Sequence, residues 1–215
     1  MKKVNLKNLV VSASFLAAFF LWTVAVKIVN VQAIGPLNTK VGFATLNAFF
    51  HNLTGVHMWL YVLTDWLSLI PVAFVLGFAL VGLIQWIKRK RLGYVDQNII
   101  ALGGFYILVF LAYFWFEKYV VNYRPVLINS FLEASYPSST TMLVMCVMPT
   151  AVLQLNNRMK KSVFKGCILA ALVLYSALMV IARLISGVHW LTDIIGGIFV
   201  SAGLVSLYKS VANFE

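Results

Sequence analysis

Only 11% of the 215 residues are charged and 62% are hydrophobic, against about a quarter charged in an average soluble domain, so the chain cannot clothe a water-facing surface and its solvent must be lipid. The net charge of +11 does not point to nucleic acid, because the cations stand in short clusters between long apolar runs, the way membrane proteins mark cytoplasmic loops. Cys146 and Cys167 fall inside apolar runs, where a thiol is a small hydrophobe, so neither a disulfide framework nor a metal site follows from them.

About 20 mainly apolar residues cross a hydrocarbon core as a helix. On that ruler the chain offers six spans, at residues 9–26, 67–87, 99–116, 140–155, 166–185 and 194–208. The fourth and sixth are short, which predicts that their ends sit within protein rather than lipid. Lys2, Lys3 and Lys7 before the first span, and Val31-Gln32-Ala33 after it, also fit a cleaved signal peptide. The run is longer than a usual signal core and Lys27 closes it at the far interface, so an uncleaved anchor is the expectation. Residues 34–58 are the least apolar stretch, with an interfacial helix predicted near 43–52. Trp66, Trp115 and Trp190 read as interface anchors. No repeat, low-complexity tract or linker interrupts the pattern, so residues 1–215 read as a single all-α membrane domain, a polytopic six-transmembrane-helix bundle.

Orientation follows from the cations. Lys2, Lys3 and Lys7, then Lys88, Arg89, Lys90 and Arg91, then Arg158, Lys160, Lys161 and Lys165 occupy alternate loops, which assigns those loops, Lys209 and both termini to the cytoplasm. Between spans three and six the opposite, outward face holds only Lys118, Arg124 and Arg183 as cations. Ionisable groups near a membrane interior are expensive to place and pair with each other or with a charged ligand. Three cations call for an anion.

Three segments on that face suit a phosphoryl group. Arg124 and Arg183 offer planar forks for two phosphate oxygens each, and Lys118 adds a point charge. Pro137 before Ser138, Ser139 and Thr140 starts a helix whose first N–H groups and hydroxyls can cradle phosphate oxygens. His189 and Asp193 are four apart, so a helix beginning near Gly187 would set them on one face. A carboxylate on one ring nitrogen would fix the tautomer and leave the other as a nucleophile able to form a phosphohistidine. No metal and no cofactor are implied, since the outward face lacks a carboxylate cluster.

With these residues in place the chain resembles the type 2 phosphatidic acid phosphatase superfamily over spans three to six. Arg183, five residues, His189, three residues, Asp193 matches the family's third motif, although its usual leading Ser is Ala182. The resemblance assigns nucleophile to His189, its partner to Asp193 and phosphate ligand to Arg183. In the first motif five residues rather than six separate Lys118 from Arg124-Pro125, and the strict lysine position holds Glu117. In the second, the usual Pro-Ser-Gly-His reads Pro137-Ser138-Ser139-Thr140, and the missing histidine is the one the family uses to protonate the leaving group. His51, His57, Asp65 and Glu133 are the outward-side residues available to lend that proton. The implied activity is a metal-independent lipid phosphatase. A diphosphate substrate such as a polyprenyl diphosphate is favoured, because its leaving group needs an acid least. A lipid-linked phosphotransferase and an attenuated phospholipid binding or transport protein are the alternatives. Membrane lipids and a lipid phosphate are the expected partners, nucleic acid is not, and oligomeric state is not legible.

Overall fold

The computed structural model describes residues 4–212; Lys2 and Lys3, counted above among the N-terminal cations, lie outside the described residues. Among the described residues eight α-helices follow in chain order: α1 (Leu6–Ile28), α2 (Ala44–Thr54), α3 (Met58–Leu67), α4 (Leu69–Arg89), α5 (Gln97–Lys118), α6 (Ser139–Arg158), α7 (Val163–Ile185) and α8 (Leu191–Ala212). Six stretches of the described residues are long and apolar enough to span a membrane, with α3 and α4 forming one of them. Helical spans meet the bilayer's demand that every backbone amide be satisfied without water, because each finds its partner within its own segment.

Burial ranks the helices. The spanning windows of α6 and α8 are 56% buried, whereas those of the other four are 11% to 22% buried. The central pair is thus the pair whose apolar runs looked short. They are 20 and 22 residues long, and their apolar runs are broken by polar residues that protein, not lipid, surrounds. Gln154, Thr150 and Ser201 are fully buried; Gln154 Nε2 donates to Tyr208 Oη at 2.6 Å. Gly197 lets the two helices meet, since a Cβ there would stand 3.1 Å from Thr141 Cγ2 and 3.3 Å from the Ser138 carbonyl oxygen. Small residues serve this purpose where no hydrophobic effect pulls helices together.

α1 packs along α8, with Ser12 Oγ donating to the Gly203 carbonyl at 2.8 Å and Trp22 Nε1 to the Thr192 carbonyl at 3.1 Å. The predicted interfacial helix is α2. Its buried Asn47 donates to Thr192 Oγ1 at 3.0 Å and accepts from the Thr192 amide at 3.2 Å, tying α2 to the first turn of α8.

The two ends of the bundle differ in chemistry. At one, Asp96 accepts from Gln85, Arg89 and Arg158 at 2.9, 2.9 and 3.2 Å, joining the two cation-rich loops. Burial alone would raise the Asp96 carboxyl, but those three bonds together hold it below its usual value. The candidate site occupies the other end.

Candidate active site

The α5–α6 connection carries much of the site. Residues 122–124 lie antiparallel to 133–135: Tyr123 bridges to Ala134, the Arg124 amide donates to the Glu133 carbonyl at 3.1 Å, and the Ser135 amide donates to the Asn122 carbonyl at 2.9 Å. Ile128 and Phe131 exchange bonds of 3.1 and 2.8 Å around Asn129 and Ser130, whose φ values of 48° and 68° are those of a two-residue hairpin turn of the primed type. Side chains alternate along such a ribbon. Asn122 and Arg124 on one arm, with Glu133 and Ser135 on the other, therefore share one face, and that face covers His189.

His189 is 3% exposed and precedes α8 rather than lying in it. Gly187 takes φ +70° with the Gly55 carbonyl packed so close that a Cβ would come within 2.0 Å of its oxygen, and the helix starts only at Leu191. The expected common helical face for His189 and Asp193 is thus replaced by a turn plus a cap. Asp193 Oδ2 reaches back to the Trp190 amide at 2.9 Å, as the third residue of a helix does in a capping box. Trp190, expected at the lipid interface, is instead 3% exposed and donates its Nε1–H to the Tyr123 carbonyl at 2.8 Å.

The imidazole is held on both sides. Nδ1 lies 3.1 Å from the Ser135 carbonyl oxygen and 3.0 Å from Ser135 Oγ, while Arg124 Nη1 lies 3.1 Å from Nε2. A carbonyl only accepts, so the proton belongs on Nδ1 and the lone pair on Nε2 receives the Arg124 N–H. Asp193 Oδ2 is 3.9 Å from Nδ1, beyond hydrogen-bond length. Its partners are the Trp190 amide, Ser135 Oγ at 2.5 Å and Asn122 Nδ2, which donates to Oδ1 at 3.3 Å.

Two guanidiniums flank this histidine. Arg183, 1% exposed, donates to Thr64 Oγ1 at 2.9 Å and to the Tyr61 carbonyl at 3.3 Å, sits 4.6 Å from the Tyr61 ring centroid and faces Asp65 at 3.7 Å. Arg124 stands 5.7 Å from the same ring's centroid and 3.0 Å from Glu133 through Nε. The Nε–H of each arginine is buried without a hydrogen-bonded acceptor among the described residues; the Arg124–Glu133 contact is an ion pair without hydrogen-bond alignment. Burial first, then Arg124 and Arg183, pushes the His189 imidazole well below its usual pKa, with the Ser135 carbonyl pulling the other way. The resting ring is neutral and its surroundings are electropositive, a setting for a dianion.

Lys118 and the second motif stand differently. Lys118 is exposed at the end of α5, its ammonium 5.8 Å from the Tyr119 ring centroid, and it is not drawn in with the arginines. Glu117 lines a small cleft with Ser135, Pro137 and Ser139. Ser138 is fully buried and caps α6, accepting from the Thr141 amide at 3.4 Å. Ser139 and Thr140 form one end of an otherwise apolar cavity of about 340 Å³ between α4, α5 and α6, lined also by Val72, Val109 and Leu143.

The four residues considered as proton donors stand differently: Glu133 is beside the site through Arg124, and His51 Nδ1 is buried without a hydrogen-bond partner among the described residues. Glu133 and Asp65 pair with the arginines, His57 Nε2 bonds the Thr54 carbonyl at 2.9 Å, and the His51 ring lies tilted at 5.5 Å from Trp190. Ser135, Asn122, Tyr61 and Thr64 were not singled out from the sequence. The polar Ser135 beside Tyr136-Pro137, and Asn122 two before Arg124 at strand spacing, were the available signals.

The model of the PAP2 superfamily matches residues 98–214. A crystal structure described as that of the first transmembrane PAP2 type phosphatidylglycerolphosphate phosphatase from Bacillus subtilis is similar over 93% of this chain and 94% of that one, with a TM-score of 0.62 and 19% identity, a likeness of fold. No curated protein sequence matches.

Proposed function

The chain belongs to the PAP2 superfamily of metal-independent membrane phosphatases, and from that premise we propose that it hydrolyses the terminal phosphate of a lipid diphosphate, a polyprenyl diphosphate above all, at the outward membrane face through phosphorylated His189. The observation that carries this reading is the buried, neutral His189 whose Nε2 lone pair is met by Arg124 at 3.1 Å while a carbonyl keeps the proton on Nδ1. Nε2 is the nucleophile, and Arg124 stands where the phosphoryl group must arrive.

The phosphate draws Arg124 off Nε2, and the guanidiniums of Arg124 and Arg183 turn their unsatisfied N–H groups to its oxygens. Lys118 reaches in on its flexible stem, and the hydroxyls of Ser138, Ser139 and Thr140 with the helix-end amides of Ser139 and Thr140 complete the cradle. Nε2 attacks phosphorus as the bond to the leaving oxygen breaks, giving an imidazolium with Nδ1–H retained; Asp193 offsets its charge. Water then attacks phosphorus, the P–N bond breaks to return neutral imidazole with Nδ1–H retained, and inorganic phosphate leaves as the monoanion carrying both water protons. The apolar cavity ending on Ser139 and Thr140 supports a lipid rather than a soluble ester.

The diphosphate preference rests on Thr140. Expelling an alkoxide from a monophosphate requires a positioned acid, worth roughly 100 to 10,000-fold, whereas a lipid phosphate leaves as an anion. Purified protein assayed for phosphate release from farnesyl diphosphate, dioctanoyl phosphatidic acid and a phosphatidylglycerol phosphate, beside His189→Ala, tests the reading. Release confined to wild type and fastest on the diphosphate is expected. Release that persists in His189→Ala, or equal rates on all three lipids, overturns it.

A further inference from the structure

We infer that Ser135 is a positioning residue whose hydroxyl links the Asp193 carboxylate to His189, in place of a direct aspartate–histidine contact. The inference rests on the reading of His189 as nucleophile. Ser135, His189 and Asp193 are 2%, 3% and 0% exposed, so no water competes for these bonds. The gap of 3.9 Å between Asp193 Oδ2 and His189 Nδ1 is bridged by Ser135 Oγ, at 2.5 Å from the first and 3.0 Å from the second.

Proton positions follow from the partners. Nδ1 carries hydrogen because it also faces the Ser135 carbonyl at 3.1 Å, and Asp193 Oδ2, already accepting from the Trp190 amide, takes the serine proton. The chain therefore reads Nδ1–H to Oγ–H to carboxylate, each bond polarising the next. No proton needs to move along it. As Nε2 bonds to phosphorus, the positive charge that develops on the ring strengthens both bonds, so the hydroxyl stabilises the transition state more than the resting state. The same residue grips Nδ1 with its carbonyl and its hydroxyl, fixing the tautomer and the ring plane together. Asn122 on the opposite arm of the hairpin holds the other carboxylate oxygen at 3.3 Å, so the ribbon orients both ends of the link.

The test pairs isosteric side chains. Ser135→Thr keeps the hydroxyl and Ser135→Val removes it at equal bulk, so packing strain is common to both. With farnesyl diphosphate and dioctanoyl phosphatidic acid as probes, Ser135→Ala and Ser135→Val should lower kcat by about 10 to 100-fold, the value of a hydrogen bond to a charged group, with KM within about threefold. Ser135→Thr should run at least about fivefold faster than Ser135→Val. In an Asp193→Asn background, Ser135→Ala should cost less than about threefold, because a link to a missing charge has little left to lose. Equal losses from Ser135→Ala in both backgrounds, equal rates for the threonine and valine variants, or unchanged kcat in Ser135→Ala would overturn the link while leaving the phosphohistidine reading intact. Release that survives His189→Ala overturns that reading instead.

Discussion

Arg124→Gln is the perturbation that most directly probes the covered nucleophile. Arg124 is 7% exposed, so its bonds to a phosphate would be little screened. Two charged hydrogen bonds at about 1.5–3 kcal/mol each amount to about 3–6 kcal/mol. Wild type must first surrender the 3.1 Å contact to Nε2, a charged bond worth about 1.5 kcal/mol that the variant never makes. The net loss is about 1.5–4.5 kcal/mol, centred on roughly a hundredfold in kcat/KM at 1.36 kcal/mol per decade. The pH profile should change in a defined sense. Attack needs neutral imidazole, so activity falls as pH drops through the His189 pKa, which burial, Arg124 and Arg183 hold well below the usual 6.5. Removing one of the two cations should move this acid limb upward, while burial keeps it under 6.5. Ionisation of the substrate is common to both proteins and cancels in the comparison. Measuring kcat/KM against pH for both, with thermal midpoints as a folding control, decides it. A limb that stays put or moves down, or a kcat/KM within about threefold of wild type, refutes the account.

Thr140→His should raise phosphatidic acid turnover by at least about tenfold more than farnesyl diphosphate turnover, since an acid repays a poor leaving group most; a matched gain on both lipids would argue against the role given to Thr140. In a chain with Cys167, the exposed one of the two thiols, replaced, an impermeant maleimide applied to intact cells should label Phe131→Cys at the hairpin tip and spare Lys88→Cys, and the reverse pattern would invert the orientation read from the cations. Gly187→Ala should lower stability by about 1–3 kcal/mol from its positive φ alone, and by more from the 2.0 Å approach to the Gly55 oxygen, seen as a lower thermal midpoint in detergent; an unchanged midpoint would mean that this turn relaxes freely.

The spans were legible because a bilayer imposes one demand, length in apolar residues, on every crossing helix. Where helices are sheathed in protein that demand relaxes, so buried polar residues such as Gln154 in α6 and Ser201 in α8 dilute the apolar character of helices that run to 20 and 22 residues, longer than the 140–155 and 194–208 read from sequence. The break between α3 and α4 at Ser68 was hidden inside one apolar stretch. In the site, the spacing of Arg183, His189 and Asp193 announced itself, but the geometry assumed for it did not hold: four residues suggested a helical face, whereas Gly187 turns the chain and delays the helix to Leu191. Ser135 and Asn122 were opaque for a different reason. Their partners are distant in sequence, and the hairpin that aligns them is announced only by Asn129-Ser130, a weaker turn signal than Asn-Gly.

That hairpin has a consequence for how such a protein can vary. Its four inward side chains belong to two arms whose alternation has a step of two. Lengthening the tip beyond Ile128 and Phe131 leaves the pairing of Asn122 with Ser135 and Arg124 with Glu133 intact. A single residue inserted between Asn122 and Arg124, or between Glu133 and Ser135, would turn half of them outward at once, uncovering the histidine and stranding the carboxylate together. Drift in this segment should therefore be free in length at the tip and strict in parity along the arms.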